Sequence, residues 1–149
     1  MVDPKRFGEE ILASLEKHGV EFVVLAGFLR KIPESVVERF ANRMINVHPA
    51  LLPAFGGKGM FGKHVHQAVL DYGARLSGAT VHIVTAEYDT GPPVLQETVP
   101  VLDDDTVETL AARVLKLEHR ILPEAVALFA RRQVRIEGRK IYVTEPNEK

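Results

Sequence analysis

Residues 20–26 read VEFVVLA, a valine-rich apolar run that only Glu21 interrupts. A run this short and β-branched fits a strand covered on both faces, and such strands belong to parallel sheets with helices packed on either side. The flanks supply those helices. Asp3 followed by Pro4 reads as an N-cap and a first-turn proline. Phe7, Ile11, Leu12 and Leu15 then recur at helical spacing, and Gly19 stops the helix. Pro33 opens a short second helix through Val36, Val37 and Phe40. Residues 44–47 read as the next strand, and Gly56-Gly57-Lys58-Gly59 as a loop. A third helix is expected over residues 63–72, with Val65, Val69 and Leu70 turned inward.

Residues 79–85 (ATVHIVT) read as a further strand, and 94–101 alternate in the manner of a partly exposed edge strand. Asp105 with Glu108 resembles a capping box. It would open a long amphipathic helix through Val107, Leu110, Ala111, Val114, Leu117 and Ile121. Pro123 is expected to break that helix and start a last one through Val126 and Phe129. Residues 134–143 alternate about Glu137-Gly138, the mark of a hairpin, and 145–149 read as a loose tail. The rhythm predicts an α/β fold over residues 1–149 as one domain, with a mostly parallel sheet flanked by helices. In sheets of this kind ligands bind beyond the carboxyl ends of the strands.

The site candidates fall at such an end. Asn46 and His48 alternate across one residue, so in a strand both project from the same face, and Pro49 ends the strand just after them. Asp89 precedes the Gly91-Pro92 turn and reads as a loop residue. An amide, an imidazole and a carboxylate can together stabilise an oxyanion and move a proton. Each alone has a plainer role: a packed histidine, a turn-forming aspartate.

Composition removes other chemistries. The chain has 149 residues, 46% of them hydrophobic and 26% charged, with a net charge of -1, which fits a globular domain with a real core. There is no basic excess to recommend a nucleic acid as partner; Arg131, Arg132, Arg135, Arg139 and Lys140 read as a solvated basic end. The absence of cysteine excludes disulfides, zinc-thiolate sites and thiol catalysis. No apolar run is long enough to cross a bilayer and the N-terminus lacks an apolar signal core, so a cytoplasmic protein is expected. His64 and His66 have H-x-H spacing, but at the start of a helix positions i and i+2 diverge, and no metal is expected. His82, in mid-strand, reads as a buried, hydrogen-bonded histidine near the site.

Four motifs taken together carry a resemblance. Leu25-Ala26-Gly27-Phe28-Leu29-Arg30, the stretch from Asn46 to Phe55 (NVHPALLPAF), Gly78-Ala79-Thr80-Val81-His82 and Tyr88-Asp89-Thr90-Gly91-Pro92 resemble the phosphoribosylglycinamide formyltransferases in order and spacing. The resemblance implies a formyltransferase-like, Rossmann-related fold. It also implies transfer of a formyl group from the reduced folate 10-formyltetrahydrofolate to the amine of glycinamide ribonucleotide. By resemblance Asn46 holds the formyl oxygen, His48 assists as imidazolium or proton shuttle, and Asp89 orients the imidazole and positions a proton-relaying water. Leu29, Arg30 and Ile32 would line the folate pocket, with Thr85, Ala86, Glu87, Tyr88 and Asp89 closing its other side. Glu118 would accept from the nucleotide's ribose hydroxyls, and Pro49 would lie beside the nucleotide.

Two departures stand out. The family usually has a further N-terminal βαβαβ segment carrying a glycine/serine loop for the substrate phosphate. The cluster Gly56-Gly57-Lys58-Gly59 lacks the GxxxxGK[ST] fingerprint, so the chain is expected to be the folate-binding, catalytic part without the phosphate part. Such a part would expose sheet edges and apolar surface, and is expected to dimerise or aggregate. Ala50 stands where many relatives have Ser. Three other readings compete. Hydrolysis of 10-formyltetrahydrofolate uses the same trio, but its enzymes tend to carry His-His-Ser-Phe-Leu-Pro at 48–53. Formylation of methionyl-tRNA would call for an Arg-Gly that is absent here. A truncated folate-binding fragment would keep the pocket without transfer.

Overall fold

The computed structural model describes residues 2–144. The tail expected at 145–149 lies outside them. The elements run α1 (Pro4–Lys17), β1 (Val23–Leu25), α2 (Glu34–Arg39), β2 (Met44–His48), α3 (Lys63–Tyr72), β3 (Leu76–Ile83), β4 (Pro93–Pro100), α4 (Val107–Ala130), β5 (Val134–Glu137) and β6 (Lys140–Val143). Asp3 caps α1 by accepting from Lys5 N, with Pro4 in the first turn as its fixed φ allows.

Four strands form one sheet in the order β1-β2-β3-β4, and β5 and β6 form the C-terminal hairpin. The α/β class holds, and the sheet is mixed rather than mostly parallel. Only β1 and β2 pair in parallel; β2 with β3 and β3 with β4 are antiparallel. An apolar run carries no strand direction, and β1 is not covered on both faces as its composition suggests: it lies at the sheet edge with Val24 exposed. Here α3 returns the chain to the end of the sheet it left, and residues 84–92 turn it straight back into β4. Strand β4 is the edge strand its alternation predicts. The run at 20–26 contributes only three paired residues, because β2 offers β1 only Met44, Ile45 and Asn46 as partners.

Successive residues of β2 point to opposite faces, and each face has its own core. Ile45 joins Val69, Val81, Ile83, Leu110, Val114 and Ile121 beneath α3 and α4. Met44 joins Ile32, Val36, Val37 and Phe40 beneath α1 and α2. Helix α4 passes through Pro123 without breaking, so one helix stands where two are expected. The burial of Ile121 and Ala125 on either side of the proline holds the two halves on one core. Its N-cap is Thr106, reciprocally bonded to Thr109, rather than Asp105 with Glu108. Asp105 is instead occupied by Arg113, Leu102 N and Thr109 Oγ1.

Gly91 fixes where the 84–92 turn closes. A Cβ there would lie 1.6 Å from the carbonyl oxygen of Ile83, a backbone atom that cannot swing aside. Gly91→Ala is therefore expected to lower the thermal midpoint sharply, as backbone displacement at a buried turn does. A melt within a degree or two of the parent would show that the turn has slack.

Candidate active site

The face of β2 that carries Met44 into the core carries Asn46 and His48 further along, where the core gives way to polar side chains. The antiparallel register sets Asn46 opposite His82 and His48 opposite Thr80. Directly opposed side chains on one face meet. Asn46 Nδ2 lies 3.2 Å from His82 Nε2. His82 Nδ1 lies 3.0 Å from the Ile83 carbonyl oxygen. Burial lowers the pKa of His82, against the opposing pull of the Ile83 carbonyl and Asp89. A neutral ring has one N–H, and the carbonyl calls it to Nδ1. Nε2 therefore accepts from the Asn46 amide, which settles which way that amide faces and leaves its second N–H unused.

Thr80 holds the segment that follows His48. Its hydroxyl donates to Ala50 O at 2.8 Å and accepts from Leu52 N and Gln96 Nε2, each at 3.1 Å. Gln96 also donates to Leu52 O at 2.8 Å. His48 is only 3% exposed. Its Nε2 donates to Phe55 O at 2.8 Å, and its Nδ1 lies 3.5 Å from Asp89 Oδ2. Both ring nitrogens face oxygen atoms, one of the Phe55 carbonyl and one of the Asp89 carboxylate.

Asp89 reaches the cluster from the 84–92 loop with φ 55°, a left-handed conformation that Asp tolerates better than most residues. Its Oδ2 accepts from Gly57 N at 2.9 Å, and its Oδ1 lies 3.6 Å from His82 Nε2. Thr90 Oγ1 donates to Glu87 O at 3.1 Å and contacts Thr85 Oγ1 at 2.8 Å, which ties the loop to itself. The three residues the sequence singles out are thus gathered, with His82 as a fourth.

Two cavities meet there. A cleft of about 660 Å³ is lined by Leu29, Asn46, His48, Pro49, Tyr88, Asp89 and Glu118, among others. A recess of about 50 Å³ is lined by Arg30, Ile32, Thr85, Ala86 and Glu87, and shares Phe28, Asn46, Tyr88 and Asp89 with the cleft. The expected pocket residues therefore divide between two compartments with Asn46 and Asp89 at the junction. Arg30 stacks its guanidinium 4.8 Å from the Phe7 ring centre, and Lys31 bridges to Glu87 across the recess at 3.4 Å. His64 stays on the surface against Phe61 while His66 turns into the cleft, the divergence expected of i and i+2 on a helix.

The site also recruits Thr80, His82 and Gln96; of these the sequence placed only His82 near the site, as a buried, hydrogen-bonded histidine, and the structure agrees. The signal for Thr80 is its alternation with His82 on the strand 79–85, but it becomes legible only once β3 is known to lie against β2. Glu118, on α4, is pushed up to about 7 by burial.

Residues 2–126 match the formyl transferase family model, and the chain belongs to that family. It is 50% identical over 126 residues to the chloroplastic phosphoribosylglycinamide formyltransferase of Arabidopsis thaliana, covering 85% of this chain and 43% of that protein. Among solved structures it resembles glycinamide ribonucleotide transformylase 1 of Symbiobacterium toebii, with TM-score 0.87 and 43% identity, over 93% of this chain and 63% of that one. It also resembles a formyltetrahydrofolate deformylase from Pseudomonas syringae, with TM-score 0.86 and 28% identity, over 97% of this chain and 48% of that one. The chain thus spans about half the length of these relatives. No helix among the described residues is long and apolar enough to cross a membrane.

The Glu118 carboxyl has a folded pKa above its ordinary 4.5, so the folded state favours the neutral acid. Its contribution to stability is whole below about 4.5 and is lost as the pH rises through about 7. His66 and His82 act oppositely, because their lowered values withdraw stability as the pH falls below 6.5. Glu118→Gln is expected to raise the thermal midpoint at pH 8 and to leave it unchanged near pH 4. An equal effect at both pH values would assign the change to packing.

Proposed function

We propose that this chain is the catalytic, folate-binding part of an enzyme that moves a formyl group from 10-formyltetrahydrofolate to the amine of glycinamide ribonucleotide in purine synthesis. The observation that carries the reading is the Asn46–His48–Asp89 cluster at the junction of a large cleft and a small recess. A transfer enzyme needs donor and acceptor to meet at one point, and two compartments sharing these side chains supply such a point.

In this reading the reduced folate occupies the side formed by Leu29, Arg30, Ile32 and residues 85–88, and the nucleotide lies along Pro49 and Glu118. The amine nitrogen attacks the formyl carbon, and the carbonyl π electrons move onto oxygen. The unused N–H of Asn46 donates to that oxyanion. His48, paired with Asp89, brings positive charge to the same side. A water held by Asp89 takes the proton from the amine nitrogen and returns one to folate N10. The carbon–N10 bond then breaks and the carbonyl re-forms.

Asn46→Ala and His48→Ala are each expected to lower turnover roughly a hundredfold or more, as loss of an oxyanion donor does. Steady-state deformylation of 10-formyltetrahydrofolate measures this, and a near-parental rate removes that residue from the role. A second reading, hydrolysis of the same folate, draws on the likeness to the deformylase. Release of folate that requires the amine nucleotide supports transfer; release without it supports hydrolysis.

Self-association and a cytoplasmic location belong to the same proposal; the chloroplastic relative makes a plastid the alternative compartment. Strand β1 sits at the sheet edge, and Val24, Phe28 and Leu29 are 41%, 38% and 61% exposed. Light scattering is expected to find a dimer or larger species. A strictly monomeric solution would remove self-association from the proposal.

A further inference from the structure

Phe55, Gly56 and Gly57 reach both the imidazole and the carboxylate of the site with backbone atoms alone. The Phe55 carbonyl accepts from His48 Nε2 at 2.8 Å, and Gly57 N donates to Asp89 Oδ2 at 2.9 Å. One acceptor and one donor two residues apart thus engage two side chains that lie 3.5 Å from each other. Gly56 runs between them against Asp89: a Cβ there would sit 3.2 Å from Asp89 Cβ and 2.5 Å from Leu52 Cδ2. The segment is tied on both sides. Ala54 N donates to Leu51 O at 3.0 Å, and Met60 N donates to Gly57 O at 3.1 Å. Leu52 is itself held by Thr80 and Gln96.

The bend that aims these atoms is not a relaxed one. Phe55 has φ 54° and Gly57 has φ 99°. Glycine adopts such a φ freely, whereas a bulky residue does so at a cost. Four non-glycine residues among those described have positive φ, and two of them, Phe55 and Asp89, meet in this cluster. A residue in that region stays there because its surroundings hold it. The Phe55 ring packs on the core beneath α3 and α4. It also meets Tyr72, at the end of α3, edge-on, with ring centres 5.9 Å apart and planes at 79°. Tyr72 is 81% exposed. Neither ring lines the cleft or the recess, so neither can touch a ligand held there.

We propose that Phe55 and Tyr72 are positioning residues for the site. Their ring contact holds residues 55–57 in the bend that presents the Phe55 carbonyl to His48 and the Gly57 N–H to Asp89. These two bonds set the imidazole and the carboxylate at one separation before any ligand arrives, and geometry fixed in advance is what a reacting group needs. The effect of this clamp on formyl transfer rests on the transfer reading; the clamp itself does not.

The test is NMR of the full chain carrying isotope-labelled histidine, with His48→Gln assigning the His48 signal. A buried, hydrogen-bonded Nε2–H exchanges slowly with water, so the parent is expected to show a resolved His48 resonance. Tyr72→Ala removes the edge contact from an exposed position and should speed that exchange roughly two- to tenfold, the range an aromatic pair supports. Phe55→Gly accepts the same φ without a ring and should speed it further. Phe55→Tyr keeps the ring and should restore the parent rate. Phe22→Leu breaks a different aromatic pair on the same core, with Phe129, and should leave the His48 signal alone. In deformylation of 10-formyltetrahydrofolate, Tyr72→Ala should lower kcat by a similar factor at an unchanged folate KM. A parent without the resonance, exchange indifferent to Tyr72→Ala and Phe55→Gly, or an equal change with Phe22→Leu would overturn the proposal. Faster exchange at an unchanged kcat would overturn it too, since the held imidazole would then not matter to the reaction. If Phe55→Gly unfolds, Tyr72→Ala decides. The two readings fail separately: a parent without turnover sinks the transfer reading, and the exchange rates then judge the clamp.

Discussion

Antiparallel pairing of β2 with β3 decides which side chains can meet at the site. With Asn46 opposite His82 and His48 opposite Thr80, each residue of the pair has its support directly across the ladder. A slip of one residue would turn either strand's polar set into the apolar core beneath α4, and the apolar set outward. The cost of that slip is borne by Ile45, Val81 and Ile83, all nearly fully buried, so the hydrophobic face pins the polar one.

From that register the electrostatics follow. His82 is neutral because burial outweighs its anionic neighbour, and a neutral ring committed to the Ile83 carbonyl has one lone pair left to orient Asn46. His48 sits between the Phe55 carbonyl and the Asp89 carboxylate and donates to the first through Nε2. Two histidines on adjacent strands thus receive opposite tasks from their surroundings. Asp89 touches both, which makes the 84–92 loop the piece that couples them.

Much of this was legible in the sequence. The alternation at 44–48 placed Asn46 and His48 on one face, and the Asp89-Thr90-Gly91-Pro92 turn marked Asp89 as a loop residue. Helix α3 and the edge strand β4 emerged close to their expected bounds. The misreadings share one cause. Local signals carry no information about what a segment packs against. Pro123 reads as a helix breaker, yet a common core on both sides keeps α4 continuous. Asp105 reads as a cap, but Arg113, two turns into the helix, claims it.

What the sequence by itself determined is the inventory and its local geometry: an α/β chain without thiols, an amide and an imidazole on one strand face, a carboxylate on a turn. Those follow from backbone periodicity and residue chemistry, which act over a few positions. Only the tertiary structure decided strand direction, the register that recruits His82 and Thr80, and the meeting of cleft and recess at Asn46 and Asp89. These depend on contacts between residues far apart in the chain, and their energies come from burial and desolvation that exist only once the layers have closed.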